Sequence, residues 1–578
     1  MATLFLRIPF ILELFFSGLF IVMYSLKFLG TFPFGFLEIY SGALLKVNSY
    51  IIPFIIFISV LTNYIYCSSL EEFFRKYIFS IIVFIPLLFT LQDLQFVFWL
   101  SSAHLLSSIL SLYDSDQSEF RDYSNAKSTS YNIFQILKMS PAQLVLASFI
   151  LVIVAGTFTL MLPFATNNNV SLSFWDALFV ATSATCVTGL SPVNIGQDFS
   201  IFGQIIILFL IQIGGLGIMT LSSSMAILLG KSMGMKDRIV MQDLLDVNSL
   251  EDLVAMVTDI VRYTLVIELW GAVILTFAFT YDGFEFTQAL FYGVFHSISA
   301  FCNAGFALFD NSLESYALNP LVHGTISLLI ILGGLGFIVL KEIRNVVLKP
   351  KSFARFTLHT KIVFVMSAGL TFAGAIFIFF GEFLGALDGY TLYEKIQISL
   401  FQSITLRTAG FNTIPLTNLN SFTIYGISLF MFIGASPGST GGGIKTTTLA
   451  ILLQSIRSTI RGVKDIDLYD RSIHSSTVVR ATALTFISII ITSAFILLMM
   501  KIEPEQSFLS IFFEVISASG TVGLSLGVTS FLSVAGKLAI SFVMFIGRVG
   551  PITLLLAIGQ QKQVRGKFDY PVGTIMIG

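Results

Sequence analysis

Four short segments of this chain each end in a glycine followed by Leu or Phe, and each lies between two long apolar runs. They are Cys186-Val187-Thr188-Gly189-Leu190, Cys302-Asn303-Ala304-Gly305-Phe306, Arg407-Thr408-Ala409-Gly410-Phe411 and Gly520-Thr521-Val522-Gly523-Leu524. A backbone whose carbonyls all point inward needs dihedral angles that a side-chain-bearing residue adopts only with strain, and glycine adopts them freely. Inward carbonyls can replace the water around a dehydrated cation. The ion-binding candidates are therefore Val187, Thr188, Gly189, Asn303, Ala304 and Gly305, with Thr408, Ala409, Gly410, Thr521, Val522 and Gly523 in the second half of the chain. The glycines recur at steps of roughly 105 to 116 residues, far longer than a solenoid period, so the repeat is a small membrane domain. Four such loops in one polypeptide can ring a single axis.

The elements that must position these loops follow from the apolar pattern. Each repeat has an outer helix, near 142–164, 254–280, 359–381 and 477–500, then a shorter apolar segment leading into the glycine loop, then a second long helix. The shorter segment is too brief to span, so the chain must dip in and return to the same side, which is tolerated only where the loop is shielded from lipid. Phe179, Phe295 and Phe513 lie ten positions before their glycines, and Ser183, Ser299 and Ser517 lie six before. The third repeat carries Phe401 and Thr405 one residue closer, so its alignment needs a gap.

Composition fixes the medium. With 55% hydrophobic residues, 11% charged and a mean hydropathy of +0.88, the chain cannot be arranged as a soluble globule and is expected to be an integral membrane protein. A net charge of -1 and the lack of a long Lys/Arg run exclude nucleic acid as a partner. Cys67, Cys186 and Cys302 are an odd number in apolar or loop segments and imply no disulfide framework. Only Arg7 precedes the first apolar run, without a clean cleavage site, so that run is expected to be a retained helix. Apolar stretches near 9–30, 50–67, 77–92 and 95–112 predict an N-terminal bundle, and the polar stretch 114–137 a cytoplasmic linker.

Basic residues near spanning segments mark the cytoplasmic side. Lys231, Lys236 and Arg238 follow the first inner helix, Lys341, Arg344, Lys349, Lys351 and Arg355 the second, Arg457, Arg461 and Lys464 the third, and Lys562, Arg565 and Lys567 the last. The glycine loops are expected to face outside. On that side Asp198, Asp282, Glu285, Asp310, Glu314, Glu382, Asp388, Glu503 and Glu505 read either as a cation-concentrating vestibule or as a solvated rim.

The third inner helix is interrupted by Gly434, Ala435, Ser436, Pro437, Gly438, Ser439, Thr440, Gly441, Gly442, Gly443, Ile444 and Lys445, a run in which glycine and proline make a continuous helix costly. The helix must break in mid-membrane, and freed backbone groups there must line the pore rather than touch lipid. The run approaches a phosphate-binding loop, but Ile444 intrudes and no strand precedes it. Intramembrane charges cost about 2.5 to 3.5 kcal/mol each on insertion scales and invite a role. Arg407 and Glu514 in adjacent loop units are expected to form a buried ion pair bracing the loops. Asp176 and His296 are expected to hydrogen-bond loop backbone, Glu268 to be a paired structural acid, and Lys445 to contact the broken segment or anchor at the interface.

These residues resemble the Trk/Ktr/HKT superfamily of potassium transporters over roughly 138–560. The fourth loop, Thr521-Val522-Gly523, repeats the start of the potassium-channel filter. Gln212-Ile213-Gly214-Gly215-Leu216-Gly217, Leu332-Gly333-Gly334-Leu335-Gly336 and Gly547-Arg548-Val549-Gly550-Pro551 match the family's small-residue inner helices. The resemblance implies four fused two-helix pore units, an intramembrane gating loop at 434–445, and Arg548 beside that loop impeding cations or holding it closed. Glycine at all four filter positions goes with potassium in this family and serine in the first with sodium, so Gly189 implies potassium as the transported ion. It further implies a homodimer in membrane lipid, in the plasma membrane (the inner membrane of a bacterium), and a separate cytosolic ring of nucleotide-binding regulatory subunits. No organic cofactor is expected.

The expected architecture is an all-α membrane protein: an N-terminal transmembrane bundle and linker at 1–137, then pore repeats at 138–250, 251–356, 357–475 and 476–578. Sodium- or proton-coupled symport is the alternative, for which Glu268, Asp176 and Glu514 are the candidate acids. A membrane enzyme is the remoter one, since the five histidines show no metal-ligand spacing.

Overall fold

Four times over, an apolar run, a shorter run and a second apolar run follow one another, and in a computed structural model of the chain these runs are helical. The structure describes residues 16–25, 45, 49, 51–53, 55–56, 97–102, 104, 141–168, 170–217, 250–348, 356–463, 466–469, 471–551 and 553–554. The expected linker at 114–137, the stretch 77–92, Cys67 and the basic residues Lys231, Lys236, Arg238, Lys349, Lys351, Arg355, Lys464, Lys562, Arg565 and Lys567 lie outside the described residues. The chain divides into two units, Met1–Asn132 and Ile133–Gly578. In the first, Phe16–Ser25 is an apolar helix, Phe20, Ile56 and Val97 are buried, and the Tyr24 and Phe98 rings stack with centroids 4.8 Å apart.

In the second unit the first repeat comprises α1 (Pro141–Leu160), α2 (Phe174–Cys186) and α3 (Ile201–Leu216). The second comprises α4 (Leu250–Tyr281), α5 (Phe286–Phe301), α6 (Pro320–Leu335) and α7 (Phe337–Leu348). The third comprises α8 (Leu358–Glu382), α9 (Leu392–Thr405), α10 (Ser421–Phe432) and α11 (Thr446–Ile460), and the fourth α12 (Ser475–Ile502), α13 (Phe508–Gly520) and α14 (Val534–Val549). Asp467–Leu468 and Arg471–Ser472 pair as two short antiparallel strands between the last two repeats.

Hydroxyl and amide side chains fix where several of these helices start, each satisfying an orphan N–H at a gain of about 1 kcal/mol. Ser173 begins α2, Ser507 begins α13, Asn319 begins α6, and Thr391 with Glu394 forms a capping box on α9. The helices that lead into the glycine loops have 13, 16, 14 and 13 residues. At 1.5 Å per residue they reach roughly 20 to 24 Å, short of a hydrocarbon core of about 30 Å. Among the described residues, Thr258–Tyr281, Leu358–Glu382 and Ser475–Ile502 are long and apolar enough to span. They leave Trp270, Phe372, Phe380 and Leu497 exposed, as a lipid-facing surface requires.

The core sits behind the loops. Phe179, Phe295, Phe401 and Phe513, at matching places in α2, α5, α9 and α13, are all fully buried. One apolar cluster joins the first repeat to the fourth through Phe179, Cys186, Val515, Ile540 and Met544, although these repeats are the farthest apart in sequence. Another joins the third to the fourth through Ile398, Met431, Phe513 and Val522.

The inner helices depart from the sequence expectation in one respect. The third was expected to break, and does so after Phe432. The second breaks as well, α6 and α7 meeting at Gly336 with a bend of 105°. Gly336 has φ +97°, and Gly217 and Gly550 at the ends of α3 and α14 have φ +81° and +90°, a region open to glycine and strained for other residues.

Candidate functional site

The four glycine loops share one backbone geometry. Two residues before each glycine, Val187, Asn303, Thr408 and Thr521 have φ of 57°, 59°, 69° and 52°, and the glycines Gly189, Gly305, Gly410 and Gly523 have φ of 99°, 71°, 82° and 95°. A left-handed conformation at a β-branched residue costs of order 1 to 3 kcal/mol and persists only where the surroundings impose it. Here Val187, Thr408 and Thr521 are β-branched, and Asn303 takes the same conformation in the second repeat.

The N–H groups of the loops turn back onto the preceding helix, which frees their carbonyls. Thr188, Ala304 and Val522 donate to the carbonyls of Ser183, Ser299 and Ser517 at 2.8, 2.7 and 2.8 Å. Ser183 and Ser517 also accept the N–H of Gly189 and Gly523 on their hydroxyls, both at 3.1 Å, while the Ser299 hydroxyl donates to the Phe306 carbonyl at 2.7 Å. In the third repeat Ala409 donates to Thr405 at 3.0 Å, one residue nearer, which is where the sequence gap falls.

The loops close a ring. A Cβ added to Gly189 would lie 2.5 Å from the Ala304 carbonyl oxygen, one on Gly305 2.7 Å from that of Ala409, and one on Gly410 2.5 Å from that of Val522. One on Gly523 would strike the Thr188 carbonyl oxygen, returning to the first loop. The carboxyl ends of α2, α5, α9 and α13 point at this ring, each carrying roughly half a negative charge, so the site favours a cation.

The interrupted stretch of the third inner helix packs against the ring. Ile433 and Ile444 bridge in parallel and the Gly434 N–H donates to Ile444 at 2.8 Å, pinning the two ends of the loop together. Ser436 and Thr440 donate their N–H groups to Gly334 and Gly333 at 3.0 and 3.3 Å, and the Thr440 hydroxyl donates to the Phe301 carbonyl at 3.2 Å. Gly442 donates to the Thr521 hydroxyl at 3.1 Å, and a Cβ on Gly441 would strike the Thr408 hydroxyl, so both glycines touch ring residues. Ser436 bonds Thr446 at 2.9 Å and Ser439 donates to the Ser436 carbonyl at 2.6 Å. Ala435 is buried within the loop, whereas Gly438, flanked by Pro437 and Ser439, is exposed and forms the tip. Gly443 takes φ +68°.

Two cations hold this loop. Lys445 donates from Nζ to the Gly441 carbonyl at 2.7 Å, an internal tie rather than an interfacial anchor. Arg548 donates to the carbonyls of Thr440 and Gly214, and to Gly215 at 3.4 Å, bridging the loop to the inner helix of the first repeat.

Several expected partners differ. Arg407 and Glu514 form no ion pair: the Glu514 carboxylate is taken by the hydroxyls of Ser525, at 2.7 Å, and Thr529, while Arg407 is buried with its Nε unpartnered. Asp176 does not bond loop backbone. It pairs with Lys537 of α14 at 2.6 Å, across the seam between the first and fourth repeats. Glu268 has no basic partner among the described residues and instead accepts from Gln212 Nε2 at 3.2 Å, with the Cys302 Sγ at 3.8 Å. His296 does bond loop backbone, accepting the Leu308 N–H at 3.3 Å.

On the other side of the ring a cavity of about 510 Å³ is lined by the four glycines, and two of the nine acids, Asp310 and Glu314, reach it. Asp198, Glu382 and Glu503 instead accept backbone N–H groups of Asn194, Asn420 and Ser533 at 2.8, 2.9 and 2.8 Å, the structural role of a cap. Asp310 accepts from Asn194 and Gln197 at 2.9 and 2.7 Å. Glu314 accepts from Asn412, two residues past Gly410, at 2.7 Å, and burial raises its carboxyl above the ordinary range with that hydrogen bond opposing.

The TrkH family, described as cation transport protein, matches residues 120–564. The chain is 38% identical over 452 residues to the Ktr system potassium uptake protein B of Bacillus subtilis, covering 77% of this chain and 98% of the relative. It is 35% identical over 446 residues to the potassium/sodium uptake protein NtpJ of Enterococcus hirae, covering 76% and 98%. In fold it is similar to the crystal structure of the potassium transporter TrkH from Vibrio parahaemolyticus, with a TM-score of 0.60 at 17% identity, over 84% of this chain and 96% of that one. With its helix order, its four-loop ring and near full-length matches to these relatives, the chain belongs to the TrkH family of cation transport proteins.

Proposed function

We propose that this protein is a potassium uptake transporter of the Ktr/TrkH type, in which the four glycine loops are the selectivity filter and the 434–445 loop is the gate. The closed ring of glycines, each facing the carbonyl of the next loop, carries this reading. Carbonyls from Thr188, Ala304, Ala409 and Val522 would take the place of hydration water, and the helix ends behind them would offset the cost of stripping it. The 434–445 loop would block the path beneath, with Arg548 latching it to the first inner helix and placing a positive charge where a cation must pass. Relatives bear potassium uptake in their names, and the family match at residues 120–564 reaches all four repeats.

The pore repeats would run 138–250, 251–356, 357–475 and 476–578, in a multi-pass plasma-membrane protein with the filter outside, following an N-terminal bundle and linker at 1–137. The resemblance supports a homodimer and a cytosolic nucleotide-binding ring as partners. Coupled symport gains no support. Asp176 pairs with Lys537, Glu268 bonds Gln212, Glu514 bonds two hydroxyls, and none of the three lines the outer cavity.

Rubidium-86 uptake into proteoliposomes, competed by potassium or by sodium, tests the reading. Block by potassium and not by sodium, with discrimination weakened in Gly189→Ser, is the expected result; equal block by both ions in the native chain would overturn it.

A further inference from the structure

The lower half of the second inner helix is tied at both ends, and one end is the gating loop. At its start, Phe337 donates its N–H to the Gly438 carbonyl at 2.9 Å, and a Cβ on Gly336 would come 2.6 Å from the Pro437 carbonyl oxygen. The preceding residues Gly333 and Gly334 accept from Thr440 and Ser436. Four of the five positions from Gly333 to Phe337 thus grip the loop on both sides of its exposed tip.

Farther along, α7 is fastened to two outer helices. Lys341 and Arg344 both lie 3.8 Å from the Asp259 carboxylate of α4, and Arg344 donates to the Tyr263 hydroxyl at 2.9 Å. Glu342 accepts the N–H and hydroxyl of Thr357 at 2.9 Å each, together with the Thr360 hydroxyl, and so caps the start of α8. Leu335, Val339 and Val363 form a small core between α6, α7 and α8.

We propose that α7 positions the gating loop: it holds the loop beneath the ring, and displacement of the α4 and α8 ends at Asp259 and Thr357 reaches the loop through the Gly336 pivot. Two discrete arrangements of a packed helix, rather than continuous bending, are what such a linkage needs. This rests on reading 434–445 as the gate.

The test measures rubidium-86 uptake and its potassium-over-sodium preference for three variants of the full chain. Gly336→Ala forces the Pro437 carbonyl away at a residue held at φ +97°. Asp259→Asn removes the ion pairs that tie α7 to α4 at a partly exposed site and keeps the fold intact should the glycine change not. Arg548→Ala releases the loop independently. The expected result is uptake raised roughly fivefold or more in each, at unchanged ion preference, whereas a merely structural role lowers uptake with protein yield. Faster uptake in Arg548→Ala alone would overturn the α7 linkage and leave the gate. Unchanged uptake in Arg548→Ala would remove the gate reading and this inference with it.

Discussion

The first and fourth glycine loops and the third share a backbone and differ in what holds it. In the first and fourth, Ser183 and Ser517 sit in the last turns of α2 and α13 and accept the glycine N–H. In the third, the spacing to the glycine is one residue shorter and places Thr405 there, and among the described residues its hydroxyl has no partner; neither has the Gln402 amide nor the Nε of Arg407. The ring therefore needs the same φ at each glycine but not the same support behind it. The third repeat gives up that support where its own inner helix breaks and where Leu313 and Glu314 of the second repeat brace Asn412 from outside.

Breaking the shared feature is expected to have the largest effect. Gly523→Ala puts a Cβ onto the Thr188 carbonyl at φ +95°, where backbone strain alone costs about 1 to 3 kcal/mol. Competition assays on rubidium uptake are expected to show potassium preference lost, and retained preference would detach the glycine conformation from selectivity.

The contrast in support comes next. Ser517→Ala leaves the half-buried Gly523 N–H unpaired at a cost of about 1 kcal/mol, whereas Thr405→Val removes a hydroxyl that pairs with nothing among the described residues and is expected to be neutral. Thermal unfolding in detergent should separate the two; equal losses would erase the distinction between these loops.

A smaller effect is expected at the seam. Asp176→Asn weakens the 2.6 Å pair that fastens α2 to α14, and the reversed pair Asp176→Lys with Lys537→Asp should recover part of the lost melting temperature. Additive losses in the double variant would show that the two side chains act separately.

The smallest concerns the brace on the third loop. Burial raises the Glu314 carboxyl above the ordinary range, so it takes up its proton at a higher pH than a free carboxylate as the solution is acidified. Uptake is expected to fall as pH drops through that raised midpoint, and Glu314→Gln should be slower at neutral pH and flatter across the range. An unchanged pH profile in the variant would clear Glu314 of this role.

Local spacing made the ring legible in the sequence: a glycine, a hydroxyl six positions earlier and a phenylalanine ten earlier are all set by one short helix. The break after Phe432 was legible for the same reason, because Pro437 and a cluster of glycines cannot sit in a helix. The bend at Gly336 was not, since Gly333-Gly334-Leu335-Gly336 resembles Gly214-Gly215-Leu216-Gly217, and only the contact with Pro437 and Gly438 reveals what the glycine accommodates. Partners distant in sequence were also hidden. Lys537 lies 361 residues from Asp176, and opposite charge alone suggested Arg407 for Glu514, whereas the hydroxyls of Ser525 and Thr529 lay closer along the chain.

The central claim is that the carbonyls of Thr188, Ala304, Ala409 and Val522 hold the transported ion on a common axis. Anomalous diffraction from crystals grown in rubidium tests it most directly. Density on that axis between the four carbonyls, lost when sodium replaces rubidium, is the predicted result; an empty ring with rubidium bound elsewhere along the path would contradict it.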